Sequence, residues 1–113
     1  MVDVVNLDMY QGSTWEWDLT FPEGFLSDKS FKMQIREEVS RDSSLLLDVT
    51  QYITVDEGNN KVLVNVPDSV TNGLSFNKGF YDFFMVDSSS NKTVILFKGL
   101  VVFTHQVTVT EEV

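Results

Sequence analysis

Trp15-Glu16-Trp17-Asp18-Leu19-Thr20-Phe21 alternates large apolar and polar residues without a break. Successive side chains of an extended strand point to opposite faces. Trp15, Trp17, Leu19 and Phe21 therefore line one face, and Glu16, Asp18 and Thr20 the other, which is the pattern of a half-buried strand. The same period recurs downstream, where Phe31, Met33 and Ile35 alternate with Lys32, Gln34 and Arg36. Val62, Val64 and Val66 repeat it less cleanly, because Leu63 shares the opposite face with Asn65. Strands with one buried face are those of antiparallel sheets packed on a core.

Turn chemistry falls where this period stops. Pro22-Glu23-Gly24 ends the tryptophan strand, Arg41-Asp42-Ser43-Ser44 interrupts the middle, and Asp56-Glu57-Gly58-Asn59-Asn60 and Asp87-Ser88-Ser89-Ser90-Asn91 read as hairpin loops. One helical candidate stands out, Pro67 to Leu74, with proline placed for a first turn and Gly73 near its end. Many short strands with at most one short helical crossover near 67–74 predict an all-β sandwich. Val94 to Phe97 and Leu100 to Phe103 are nearly continuous apolar runs. Such strands are expected to be covered on both faces, within the domain or by a neighbouring subunit.

The 113 residues suffice for a single domain, 1–113, with one core. Nine Phe, three Tyr and two Trp are available to fill it, and cysteine is absent, which excludes disulfides and thiolate metal sites. The net charge of −9, from 17 acids against 8 bases, is unsuited to gripping phosphates, so no nucleic-acid partner is expected. No run approaches the roughly 20 apolar residues of a membrane-spanning helix, and no membrane partner is expected. Nor do the first residues show the basic segment and apolar stretch of a signal peptide.

Chemistry-bearing constellations are missing from the pattern. His105 is the single histidine and has no second imidazole with which to build a metal pair. The acidic loop Asp56 to Asn60 lacks the spacing and distal glutamate of a helical calcium loop, and turn propensity accounts for it. Glu37-Glu38 and Glu111-Glu112 are adjacent, so on a strand each pair splits between two faces. Gly12, Gly24, Gly58, Gly73, Gly79 and Gly99 are scattered and read as turn residues rather than a phosphate loop. No enzyme activity, cofactor or metal is expected.

In order and spacing, several short marks resemble a family of small all-β structural proteins of tailed bacteriophages and prophages. They are Tyr10-Gln11-Gly12-Ser13-Thr14, Phe31-Lys32-Met33-Gln34-Ile35-Arg36, Gly79-Phe80-Tyr81-Asp82-Phe83, and Lys98-Gly99 ahead of Val107-Thr108-Val109-Thr110. The resemblance spans about the whole chain. Ser13 stands where the family usually has Asp, Phe84 where it often has Asp, and Pro22 to Asp28 replaces its usual second connection. Partner contacts made through those positions do not carry over.

The resemblance implies a single immunoglobulin-like antiparallel β-sandwich. It also implies a virion protein, made in the host cytoplasm, that acts by assembly with other virion proteins or in many copies. A tail, neck, baseplate or fibre-attachment adaptor is the expected role, with capsid decoration as the alternative within the class. A carbohydrate-binding sandwich that uses Trp15 and Trp17 for stacking is the alternative of another class. Phe76, Phe80, Phe84 and Phe97 exceed what one inner face needs and are the candidate interface. The segments 1–6 and 108–113 are candidate assembly arms.

Overall fold

A computed structural model describes residues 3–40 and 42–105. They form a β-sandwich of two sheets. The larger, front sheet contains β1 (Asp3–Val4), β2 (Leu7–Tyr10), β4 (Lys29–Arg36), β5 (Leu45–Asp48), β8 (Lys78–Asp87) and β9 (Lys92–Thr104). Its order is β1 and β2 on one edge, then β9, β8, β4 and β5. The back sheet has the order β3 (Trp15–Thr20), β7 (Lys61–Val66), β6 (Ile53–Asp56). The fold is an all-β sandwich, as the alternation predicts. One short helix, α1 (Asp68–Thr71), lies inside the expected 67–74 crossover. It follows Pro67 and is fixed by the buried Thr71, whose hydroxyl donates 2.9 Å to the Ser13 carbonyl.

Every ladder is antiparallel except that of the N-terminal strand. β1 and β2 both run parallel to β9, Asp3 opposite Phe97 and Leu7 to Tyr10 opposite Val101 to Thr104. In the constant-type immunoglobulin layout the first strand lies in the other sheet, with the strands that correspond to β3, β7 and β6. Here it has moved to the last strand, and β3 becomes an edge among the described residues. Segment 3–6, expected as part of an arm, is thus seated on β9. Residues 1–2 and segment 108–113 lie outside the described residues.

The hairpins form where turn chemistry places them. Asp56 accepts from the Asn59 amide and side chain, and Asn60 takes the left-handed conformation at φ 57°. Asp87 accepts from the amide and hydroxyl of Ser89, at 3.0 and 2.7 Å, and Asn91 is left-handed at φ 60°. These hydrogen bonds hold the Asp87 carboxyl below the usual carboxylate range.

The core lies between the sheets. Phe83 is fully buried, stacked on Phe97 at 5.0 Å and Phe31 at 5.7 Å between ring centroids. Trp17 closes the cluster from the back sheet, 5.6 Å from Phe83 and 6.0 Å from Phe97. Its indole Nε1 is enclosed without an acceptor among the described residues. Trp15 is buried and donates 2.8 Å to the Asp8 carbonyl.

Two expectations change. Gly79 and Gly99 are strand residues, not turn residues. A Cβ at Gly79 would lie 2.5 Å from the Ile35 side chain, and one at Gly99 would strike the Val5 carbonyl. The apolar runs 94–97 and 100–103 are one 13-residue strand, β9, and its outer face is uncovered by any other of the described residues. The pairing with β8 slips between Phe83 and Phe84, with Phe97 opposite Phe83 and Ile95 opposite Phe84. That bulge inserts Leu96 as the extra residue and turns it toward the core.

Candidate functional site

The surface with the most unusual composition is the outer face of the front sheet, and register defines it. Paired residues on adjacent strands share a face, and Gly79, Tyr81, Phe83 and Met85 of β8 are buried inward. Phe80, Asp82 and Phe84 therefore point out. Across β9 they meet Leu100, Lys98 and Ile95, and across β4 they meet Arg36, Gln34 and Lys32. Val102 lies outward opposite Lys78 and Asp8, Tyr10 outward opposite Thr104, and Leu45 outward opposite Arg36.

Apolar exposure falls on the strands of the front sheet and on connections, mostly on this face, with Val94 opposite the inward Met85 as an exception. Val4, Tyr10, Leu45, Ile95 and Val102 are exposed large hydrophobics on this face, Ile95 at 44% and Val102 at 42%. The exposed large hydrophobics among the described residues include none from β3, β6 or β7. The back sheet instead turns out Glu16, Asp18, Thr20, Thr54, Asp56, Lys61, Leu63 and Asn65. Sheets facing water normally alternate apolar-in and polar-out; the back sheet obeys that rule and the front sheet breaks it.

Charge is one-sided. Lys32, Arg36, Lys78 and Lys98 share the front face with Asp8, Asp48 and Asp82. That surface is close to neutral on a chain of net charge −9. Arg36 is engaged, donating 2.8 Å to the Ser43 carbonyl and 2.9 Å to Gln34 Oε1. Lys32, Lys78 and Lys98 make no ion pair among the described residues, where the pairs are Lys29–Asp87 at 3.4 Å and Lys61–Asp18 at 4.0 Å.

The four candidate phenylalanines divide between the faces. Phe80 and Phe84 lie on the outer surface. Phe97 stacks inside on Phe83, and Phe76 packs on Phe103 at 4.8 Å, so both belong to the core boundary rather than to a surface patch. In their place the surface has Ile95, Leu100 and Val102, which alternation along β9 conceals because the bulge at Leu96 reverses its parity.

Comparison with protein-family models and with curated proteins finds no match. The remaining chemistry is sparse. The exposed His105 packs edge-on against Phe103 and shares a 2.9 Å hydrogen bond with Asn77 Oδ1. No group of three or more His, Cys, Asp or Glu suited to a metal occurs among the described residues. An open depression of about 560 Å³ is lined by Glu38, Val39, Ser40, Asp42, Ser43 and Phe80 at the rim of the front face. No helix among the described residues is long and apolar enough to cross a membrane. Trp15 is buried and Trp17 half-buried, and both pack within the sandwich.

Proposed function

We propose that this chain is a structural protein of a tailed-phage virion, an adaptor in the tail, neck, baseplate or fibre attachment that works by protein–protein assembly. One observation carries the reading: the outer face of the front sheet turns out two apolar groups, Phe80, Leu100 and Val102 on one side of the Asp82–Lys98 pair and Phe84 and Ile95 on the other, with Ile95 and Val102 exposed and the other three half-buried. Exposed apolar side chains gathered on one sheet face mark interaction surfaces, and protein interfaces combine such groups with polar and charged ones. The order of sequence marks supplies the phage context by resemblance.

The sandwich contributes rigidity and the outward apolar groups contribute adhesion. A carbohydrate-binding reading loses its strongest support, because its tryptophans serve the core. The test is incorporation: phage complemented with the Phe84→Asp chain should yield particles that lack it, although the isolated variant folds. Normal incorporation of Phe84→Asp would overturn the assignment of this face.

A further inference from the structure

We propose that Asn72-Gly73, at the C-terminal end of α1, is a modification site at which the chain converts spontaneously, through a succinimide ring, to aspartate and isoaspartate. The site stands apart from the assembly face, on the crossover between the back and front sheets. Asparagine cyclises when the backbone nitrogen of the next residue reaches its side-chain carbonyl carbon, and a side chain on that next residue hinders the approach. Asn72 is the one of seven asparagines that glycine follows. Asn6, Asn59, Asn65 and Asn77 are engaged through their side chains. Asn60 and Asn91 make no side-chain hydrogen bond among the described residues, but lysine follows each.

Nothing in the backbone requires glycine at this place. The φ of Gly73 is not left-handed, and a Cβ there would meet the Val70 carbonyl oxygen at 3.7 Å, an ordinary contact. Asn72 and Gly73 are both exposed, and the Asn72 side chain makes no hydrogen bond among the described residues. The folded turn holds the reacting atoms back: Asn72 is helical, at φ −62° and ψ −29°, and the Gly73 N–H donates 3.1 Å to the Val70 carbonyl. Yet α1 is a single turn of four residues, far below the length at which a helix holds by itself. Its anchors are the Thr71 hydroxyl on the Ser13 carbonyl and the Gln11 side chain on the Asn72 carbonyl at 3.1 Å. Neither touches the Gly73 amide, so the end of the turn can open locally while the sandwich stays folded.

Once the turn opens, the Gly73 nitrogen gives its proton to hydroxide and attacks Asn72 Cγ. A new C–N bond closes the succinimide, the Cγ–Nδ2 bond breaks, and the amide nitrogen takes a proton from water and leaves as ammonia. Water then opens the ring at either carbonyl, leaving aspartate or isoaspartate. The step needs no oxidant or reductant. Each event adds a negative charge to a chain already at −9. Isoaspartate also lengthens the main chain by a methylene between Thr71, which is buried, and Leu74, which packs against the core. The converted chain should therefore melt at a lower temperature.

Incubation of the native chain at mildly alkaline pH, followed by isoelectric focusing and peptide mapping, tests this. An acidic band should grow with time and carry aspartate and isoaspartate in place of Asn72 before any other asparagine converts. Denaturant should speed the conversion by releasing the turn. Gly73→Ala, with an unchanged circular dichroism spectrum, should lose most of the acidic band. First conversion at another asparagine, or a native chain that stays unconverted while the denatured chain converts, overturns the proposal. That mapping uses the unaltered chain and does not depend on the folding of Gly73→Ala. Undiminished conversion of Asn72 in folded Gly73→Ala overturns it as well, because the residue after Asn72 would then not govern ring closure.

Discussion

The hydroxyl of Tyr81 donates a 2.6 Å hydrogen bond to the carbonyl of Val5, 76 positions earlier in the chain. This contact closes the front sheet at the break between β1 and β2. Val5 N–H donates 2.7 Å to the Lys98 carbonyl, and Asn6 Oδ1 accepts 3.1 Å from the Leu100 amide. Gly99 lies beneath, and only the absence of a side chain lets the Val5 carbonyl approach it. The N-terminal strand is therefore part of the domain.

Gly99→Ala should displace that strand. Forcing a methyl group into a filled space costs about 1–3 kcal/mol, visible as a lower melting temperature and faster amide exchange from Leu7 to Tyr10. Deleting residues 1–6 should likewise lower the melting temperature, where a free arm would leave it unchanged.

Tyr81 also sets a pH limit. Burial pushes its phenol up to about 12, above the ordinary value near 10. The folded state thus holds the proton more tightly than the unfolded state, and the contribution is complete below pH 10. It is lost as pH rises toward 12. The unfolding free energy should fall across that window, and Tyr81→Phe should flatten the fall while costing about 1 kcal/mol at neutral pH for the lost hydrogen bond.

Adjacent residues of β8 should respond to truncation by very different amounts. Phe83→Ala empties the centre of the aromatic cluster and should cost about 3–5 kcal/mol, a large share of the roughly 5–15 kcal/mol that holds a domain of this kind folded. Phe84→Ala, one position on and facing out, should cost about 1 kcal/mol or less in the isolated chain. Chemical denaturation at low protein concentration measures both.

The strands with strict alternation, such as Trp15 to Thr20 and Lys29 to Arg36, were legible because each buries one face and local period reports that directly. The Asp56–Asn60 and Asp87–Asn91 hairpins were legible because Asp and Asn bond their own turn. The N-terminal strand was not: its parallel partner lies more than 90 residues away, and no local pattern encodes that pairing. The split of the phenylalanines was hidden for a related reason. Phe97 reaches the core through the bulge at Leu96, a feature of the β8–β9 pairing rather than of β9 alone.

The most direct test of the virion role is quantitative mass spectrometry of purified particles, with this chain scaled to the major capsid protein. The account predicts a low, ring-like copy number, as expected of a tail, neck or baseplate adaptor. A number near that of the capsid protein would contradict the adaptor role and indicate head decoration. Absence from the particle would contradict the structural reading altogether.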